Sequence, residues 1–218
     1  MELKLLSVQV GKPVEHPPVE PGGKPWRSAI VKNPVVGPVW VGRLGLEGDS
    51  QADKKNHGGP NRAVNVYPGE HYHIWRATPG LEGMDGGAFG ENFTTLGLLE
   101  QTACIGDVLA VGDVVVAITQ PRGPCYKLNR RWNFPDLQRR SEDEHRFGWY
   151  LRVVQEGRVQ PGAPMRLLEH PFPEWSIARV WDVTMDLADG DAAQALLGCP
   201  ALSPEWKESL QKILARRA

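Results

Sequence analysis

The sequence predicts a mainly β domain over residues 1–172 and a small three-helix segment over residues 173–218. Three observations carry that expectation. Glycine and proline are dense, 24 and 19 of 218 residues, and spread through the first 175 positions, which marks many short strands and turns. Short Val/Ile/Leu runs with two-residue alternation lie between them. After "PFPEW" the breakers thin out and apolar residues recur at helical spacing.

The elements follow in order. "LKLLSVQVG" reads as an opening strand, Val8 and Val10 alternating with Ser7 and Gln9. "KPWRSAIVKNPVVGPVWVGRLGL" holds two or three short runs, demoted to edge or bulged strands by Asn33-Pro34 and Gly37-Pro38. Leu46 to Val64, "LEGDSQADKKNHGGPNRAV", is polar and aperiodic and predicts a long loop of the kind that carries function. "YPGEHYHIWRAT" predicts a helix with Tyr72, Ile74 and Trp75 on its apolar face. "GMDGGAFGENFTTLGL" predicts a second glycine-rich loop, and "CIGDVLAVGDVVVAITQ" a hairpin turning at Gly112-Asp113. A charged, helical arm starts at "NRRWNFPDLQRR", followed by the strands "WYLRVVQEG" and "APMRLLEH". In the last segment Ile177, Val180, Trp181 and Thr184 form one face behind the cap Ser176. "DAAQALLG" is a short helix ended by Gly198. "SPEWKESLQKILARR" starts on Ser203 with Pro204 in the first helical position, and lines up Trp206, Leu210, Ile213 and Leu214. A segment this small is not stable alone, so it is read as packing on the main domain or as a dimer contact, with docking of an electron donor as the sharper alternative.

Composition narrows the function. Apolar residues make up 41% and charged residues 23%, ordinary for a globular chain, and the formal net charge of −1 gives no case for nucleic acid or an anionic membrane. The N-terminal run is too short for a signal peptide and no stretch reaches transmembrane length. Cys104, Cys125 and Cys199 form neither a metal-binding spacing nor a disulfide framework, and an odd count fits reduced thiols. A cytoplasmic protein is expected.

Cys104 and Cys199 sit in apolar runs and read as small buried hydrophobes. Cys125 stands apart, at the end of the stiff "PRGPC" loop with Arg122, Lys127, Arg130 and Arg131 close in sequence. Cations near a cysteine make it a nucleophile or a soft-metal ligand. In "HGGPNRAV", Gly58 and Gly59 allow close backbone approach to a ligand, Arg62 can fork onto a phosphate or carboxylate, and His57 can bind an anion, carry protons or ligate a metal. The glycines of "GAFGENFTT" can cradle an anion, with Glu91 and Asn92 as polar contacts, but lack the lysine ending of a nucleotide phosphate loop. Alternatively these loops are solvated surface. A protease-like pairing of Cys125 with His57, His71 or His73 stays open, although HExxH, CxxC and GxSxG motifs are absent.

Together, "GLEGDSQADKKNHGGPNRAVNVY", "GAFGENFTT" and "ITQPRGPCYKL" resemble the MOSC domain, the molybdenum cofactor sulfurase C-terminal domain, in its bacterial stand-alone YiiM-like branch. The resemblance covers residues 45–165, and the helical tail resembles the 3-alpha domain of that branch. It implies a β-barrel core that binds the molybdenum cofactor (molybdopterin), with Cys125 as ligand to molybdenum. It implies reduction of small N-hydroxylated compounds such as hydroxylaminopurines, with electrons from a partner reductase. Arg62, Arg122, Lys127 and the Gly58-Gly59 loop are then expected to hold the cofactor with Glu91 and Asn92, and His57, backed by Asp49 and Glu91, to deliver a proton. Two rivals share the thiol: a sulfur carrier loaded at Cys125 by a pyridoxal-phosphate desulfurase, and a cofactor-delivery module.

Overall fold

The breaker-bounded runs fold as short strands in a computed structural model that describes residues 2–186 and 190–216. The first third holds β1 (Lys4–Val10), β2 (Val14–His16), β3 (Trp26–Ser28), β4 (Asn33–Pro34), β5 (Val39–Gly42) and β6 (Gly45–Leu46). Next come α1 (Lys54–His57), β7 (Val64–Pro68), α2 (Tyr72–Arg76), β8 (Phe93–Leu96), β9 (Val108–Val111) and β10 (Val114–Pro121). Then follow α3 (Lys127–Trp132), α4 (Leu137–Asp143), β11 (Trp149–Gln155), β12 (Gly157–Val159) and β13 (Met165–Glu169). The tail holds α5 (Ile177–Asp186), α6 (Gly190–Gly198) and α7 (Pro204–Ala215). Among the described residues no helix is long and apolar enough to cross a membrane.

The main sheet has eight strands in the order β13-β9-β10-β11-β7-β8-β1-β4. All neighbours are antiparallel except β7 and β8. The expected barrel is therefore corrected to an open sheet. The residue before β13 reaches the penultimate strand β1 at one bridge, Lys4 to Pro164, flanked by Leu5 N to Ala163 O at 2.9 Å and Met165 N to Leu3 O at 2.9 Å. Gly162 N also donates to Leu5 O at 2.8 Å, and the contact goes no further than this single bridge.

Other expectations shift for local reasons. A bulge between Leu5 and Ser7 breaks the alternation of β1. Gln9 is buried, its amide donating to Thr94 Oγ1 at 3.2 Å, and Val10 is half-buried. The long loop 46–64 contains α1, because Asp53 caps it by accepting from Lys55 N and Asn56 N, both at 3.1 Å. A 3-10 turn, Pro60–Arg62, follows. The second glycine loop ends in β8, whose Phe93–Leu96 run joins β7 and β1. Residues 69–76 form a 3-10 turn and then the five-residue α2, with Tyr72 and Trp75 buried and Ile74 half-buried. The hairpin at Gly112-Asp113 forms as β9 and β10.

Two apolar clusters hold these layers. The larger runs from Leu5, Val64 and Phe93 through Ile118 and Trp149 into the tail at Trp181, Leu196, Trp206 and Leu210. The tail is thus continuous with the main core, and its caps are the expected ones: Ser176 Oγ accepts from Arg179 N at 3.2 Å, and Ser203 Oγ from Trp206 N at 3.1 Å. The smaller cluster joins Tyr67, Tyr72, Trp75, Phe89, Leu128 and Leu137. Tyr67 stacks on Phe89 at 4.0 Å between centroids. It braces the Gly87–Asn92 loop against α3, which places two of the sequence motifs side by side.

Candidate functional site

Strand β10 delivers the Cys125 loop. A register shift between Ile118 and Gln120 bends the end of the strand, as bulges beside sites do. Thr119 Oγ1 fastens it to Asn61 O at 2.7 Å and Tyr150 O at 3.0 Å. Pro121, Arg122 and Pro124 are buried, Gly123 is exposed, and Cys125 is half-buried. The Cys125 carbonyl accepts from Leu128 N at 2.8 Å, which ties the loop to α3.

The thiol opens onto a cleft between the three loops. Of the residues singled out from sequence, Asp49, His57, Arg62, Asn92, Arg122, Cys125 and Lys127 line it. Arg122 is 5% exposed, and its guanidinium donates to Phe89 O at 2.7 Å and Phe147 O at 3.5 Å. Arg62 donates to Asn56 O at 2.6 Å and Gln120 Oε1 at 3.4 Å, and Lys127 Nζ to Arg27 O at 3.0 Å. Among the described residues these three cations hold only neutral acceptors. Taking a guanidinium out of water without a counter-charge is costly, so the cleft is built to receive an anion.

His57 stands 3.5 Å from Tyr150 Oη. Burial pulls its imidazole below the usual range, Arg122 adds to the effect, and Asp53 opposes it. Burial also pushes the Tyr150 phenol up, against the pull of Arg122 and Arg62. Asp49 is committed elsewhere. It accepts from Gly11 N at 2.7 Å and forms a buried ion pair with Lys32 Nζ. Burial holds Lys32 below the usual lysine range, opposed by Asp49.

Three expected cofactor contacts do not face the cleft. Glu91 is fully buried and accepts from Tyr72 Oη at 2.5 Å, Gly87 N at 2.6 Å, Phe89 N at 3.1 Å and Thr94 Oγ1 at 2.9 Å. It clasps its own loop. Gly58 ends α1, where a Cβ would sit 2.7 Å from Lys54 O, and Gly59 has φ +102°. Both shape the turn that presents Arg62. Sequence reading missed Lys32, Asn65 and Tyr150. Asn65 is 8% exposed, and its Oδ1 is buried with no hydrogen-bond partner among the described residues. It lines the cleft as an unused acceptor.

A thiol, three cations on neutral acceptors and an orphaned amide oxygen match a cofactor that offers a soft metal, a phosphate and a pterin N–H. The residues present fit the molybdenum cofactor. Among the described residues one group of three potential ligands is found, Cys104, Asp107 and His170, and it does not include Cys125. There burial pushes the Cys104 thiol up to about 11, and His170 is paired with Asp107 at 2.6 Å.

Residues 53–166 match the MOSC domain and residues 175–217 the YiiM-like, 3-alpha helix domain. The protein YiiM of Escherichia coli (strain K12) is 39% identical over 203 residues, 88% of this chain and 86% of that one. A protein of Gibberella moniliformis (strain M3125 / FGSC 7600) named reductase is 40% identical over 156 residues, 70% of this chain and 28% of its own length. The crystal structure of YiiM from Geobacillus stearothermophilus is 35% identical, with a TM-score of 0.81 over 97% of this chain and 99% of that one. With its thiol-bearing cleft and its helical tail, the chain belongs to the MOSC domain family and carries the YiiM-like 3-alpha helix domain.

Proposed function

We propose that this protein is a molybdenum-cofactor-dependent reductase of N-hydroxylated compounds such as hydroxylaminopurines, with Cys125 as the protein ligand to the metal. The observation that carries the reading is the half-buried Cys125 thiol in a cleft whose Arg62, Arg122 and Lys127 donate only to neutral acceptors among the described residues. The reductase name of the Gibberella relative supports a redox role over sulfur carriage or cofactor delivery.

In this reading the cations bind the phosphate, the Asn65 oxygen accepts from the pterin, and the stiff loop fixes the sulfur. When bound, the cofactor supplies the two-electron redox chemistry. In the net reaction the N–O bond breaks, the nitrogen ends as an amine, and the oxygen leaves as water. Two protons are consumed, and a partner reductase supplies two electrons. His57 and Tyr150, at the edge of the cleft, move the proton that the leaving oxygen needs. Asp49 neutralises Lys32 and takes no proton in this scheme.

The sign of the His57 shift makes this testable. A lowered proton affinity means that little imidazolium exists at neutral pH, and that what forms is a stronger acid. Turnover limited by His57 rises as pH falls from about 7 toward about 5.5. The profile measured for His57→Gln is flat over that window. A wild-type slope retained in His57→Gln would remove His57 from the proton path. The function itself is tested with protein made in a cofactor-competent host and reduced methyl viologen as donor. Conversion of hydroxylaminopurine to the aminopurine is expected, and failure by protein that carries molybdenum and pterin would point to a delivery module.

A further inference from the structure

The turn that opens β9 carries a second thiol with chemistry of its own. Cys104 and Asp107 are 3% and 1% exposed, and Asp107 N donates to Cys104 O at 3.1 Å across the turn. Asp107 Oδ2 accepts from Cys104 N at 2.9 Å, and Oδ1 stands 2.6 Å from His170 Nδ1. The Cys104 thiol makes only long contacts, 3.7 Å to Thr102 O and 3.6 Å to Pro173 O. One donor atom from each of Cys104, Asp107 and His170 lies within 4.8 Å of the other two. Among the described residues Asp107 pairs with His170 and with no lysine or arginine, and the exposed Glu174 adds negative charge beside the thiol.

This turn is also the joint between the sheet and the tail. His170 and Glu174 lie on the segment that links β13 to α5. Cys104 bridges Ser176, Ile105 N donates to Trp175 O at 2.9 Å, and Ile177 N donates to Ala103 O at 2.8 Å. At Gly106, φ +85°, a Cβ would stand 2.8 Å from the Phe172 ring, so the linker is pressed against the turn. A thiolate, a carboxylate and an imidazole form a mixed sulfur, oxygen and nitrogen set. Such a set suits Zn²⁺, whereas Mg²⁺ and Ca²⁺ take oxygen. Tetrahedral Zn²⁺ holds its ligand atoms roughly 3.2–3.8 Å apart, so the three donors reach it with shifts of about 1 Å. His170, exposed on the linker, is free to make most of that movement. Asp107 can turn Oδ1 from His170 to the cation while Oδ2 keeps its bond to Cys104 N. The cation displaces the thiol proton.

We propose that Cys104, Asp107 and His170 form a structural Zn²⁺ site, completed by Glu174 or water, that staples the linker of the tail to the sheet. None of the three lines the Cys125 cleft, and the site does not depend on the reading given to Cys125.

The metal-free full chain is titrated with Zn²⁺ against a chromophoric chelator, and with Co²⁺ for the charge-transfer absorption that a thiolate ligand gives. Wild type is expected to bind an equivalent of Zn²⁺ with Kd below about 1 μM. Cys125 is a second thiol, so Cys125→Ala is the control. It should keep that equivalent and its Co²⁺ band, and Cys104→Ala should lose both. His170→Ala changes an exposed side chain outside both apolar clusters, so it tests the site even if Cys104→Ala fails to fold. Its Zn²⁺ affinity should fall tenfold or more. Zn²⁺ at about a hundred times the wild-type Kd should raise the wild-type Tm by roughly 5–10 °C, and that of His170→Ala by about half as much or less. Three results would overturn the assignment: a wild type that binds no Zn²⁺, an affinity that His170→Ala leaves unmoved, or binding lost in Cys125→Ala and kept in Cys104→Ala. The last would place the cation in the Cys125 cleft.

Discussion

Cys125→Ser is expected to lower kcat/KM for hydroxylaminopurine on the order of a hundredfold or more, with the fold intact. Serine matches cysteine in shape, and the backbone bond from Leu128 N to the carbonyl of residue 125 survives the change. What is lost is the soft sulfur donor, since a hydroxyl is a poor ligand for a soft site. Melting curves of wild type and variant should overlay, because the half-buried thiol belongs to neither apolar cluster. A variant retaining activity within about threefold would remove Cys125 from the chemistry.

The second large effect falls on stability. Glu91→Ala removes the acceptor of four hydrogen bonds in a fully buried position. Two of its donors are backbone N–H groups of Gly87 and Phe89, which would be left without partners. Burial pushes the Tyr72 phenol well up and the Glu91 carboxylate reinforces this, so the phenol keeps its proton and donates. Leaving buried donors without their shared acceptor costs about 3 kcal/mol, a drop in Tm of roughly 10 °C for a chain of this size. The same loop presents Phe89 O to Arg122 and Asn92 to the cleft, so phosphate affinity should fall as well. A thermal scan and a phosphate titration check both. An unchanged Tm would mean that the loop is held chiefly by Tyr67–Phe89 packing.

The sequence was most legible where local chemistry decides structure. The hairpin at Gly112-Asp113, the caps Ser176 and Ser203, and the apolar face of α5 all follow from short-range rules. The site was legible as three loops because prolines, glycines and cations cluster there, and seven of the expected residues do line one cleft. What escaped depends on distant partners. Asp49 reads as a site acid until Lys32 is found against it, and Glu91 reads as a ligand contact until four donors converge on it. Tyr150 is hidden in an apolar strand. It faces the site because β10 and β11 slip register near Gln120, which no periodicity reports. The barrel failed for a similar reason: closure hinges on one bridge, Lys4 to Pro164, between segments far apart in sequence. The tail's place beside Cys125 is likewise a tertiary fact, set by Ser203 and Glu205.

The proposed role of Cys125, holding the metal of a pterin cofactor, is tested most directly by cofactor content. Wild type and Cys125→Ala are made in a cofactor-competent host and assayed for molybdenum by mass spectrometry and for pterin by fluorescence after oxidation. Near-stoichiometric molybdenum and pterin in wild type, with metal lost or its spectrum altered in Cys125→Ala, is the predicted result. Well-folded wild type with neither metal nor pterin, and with a persulfide on Cys125, would contradict the account and make the protein a sulfur carrier.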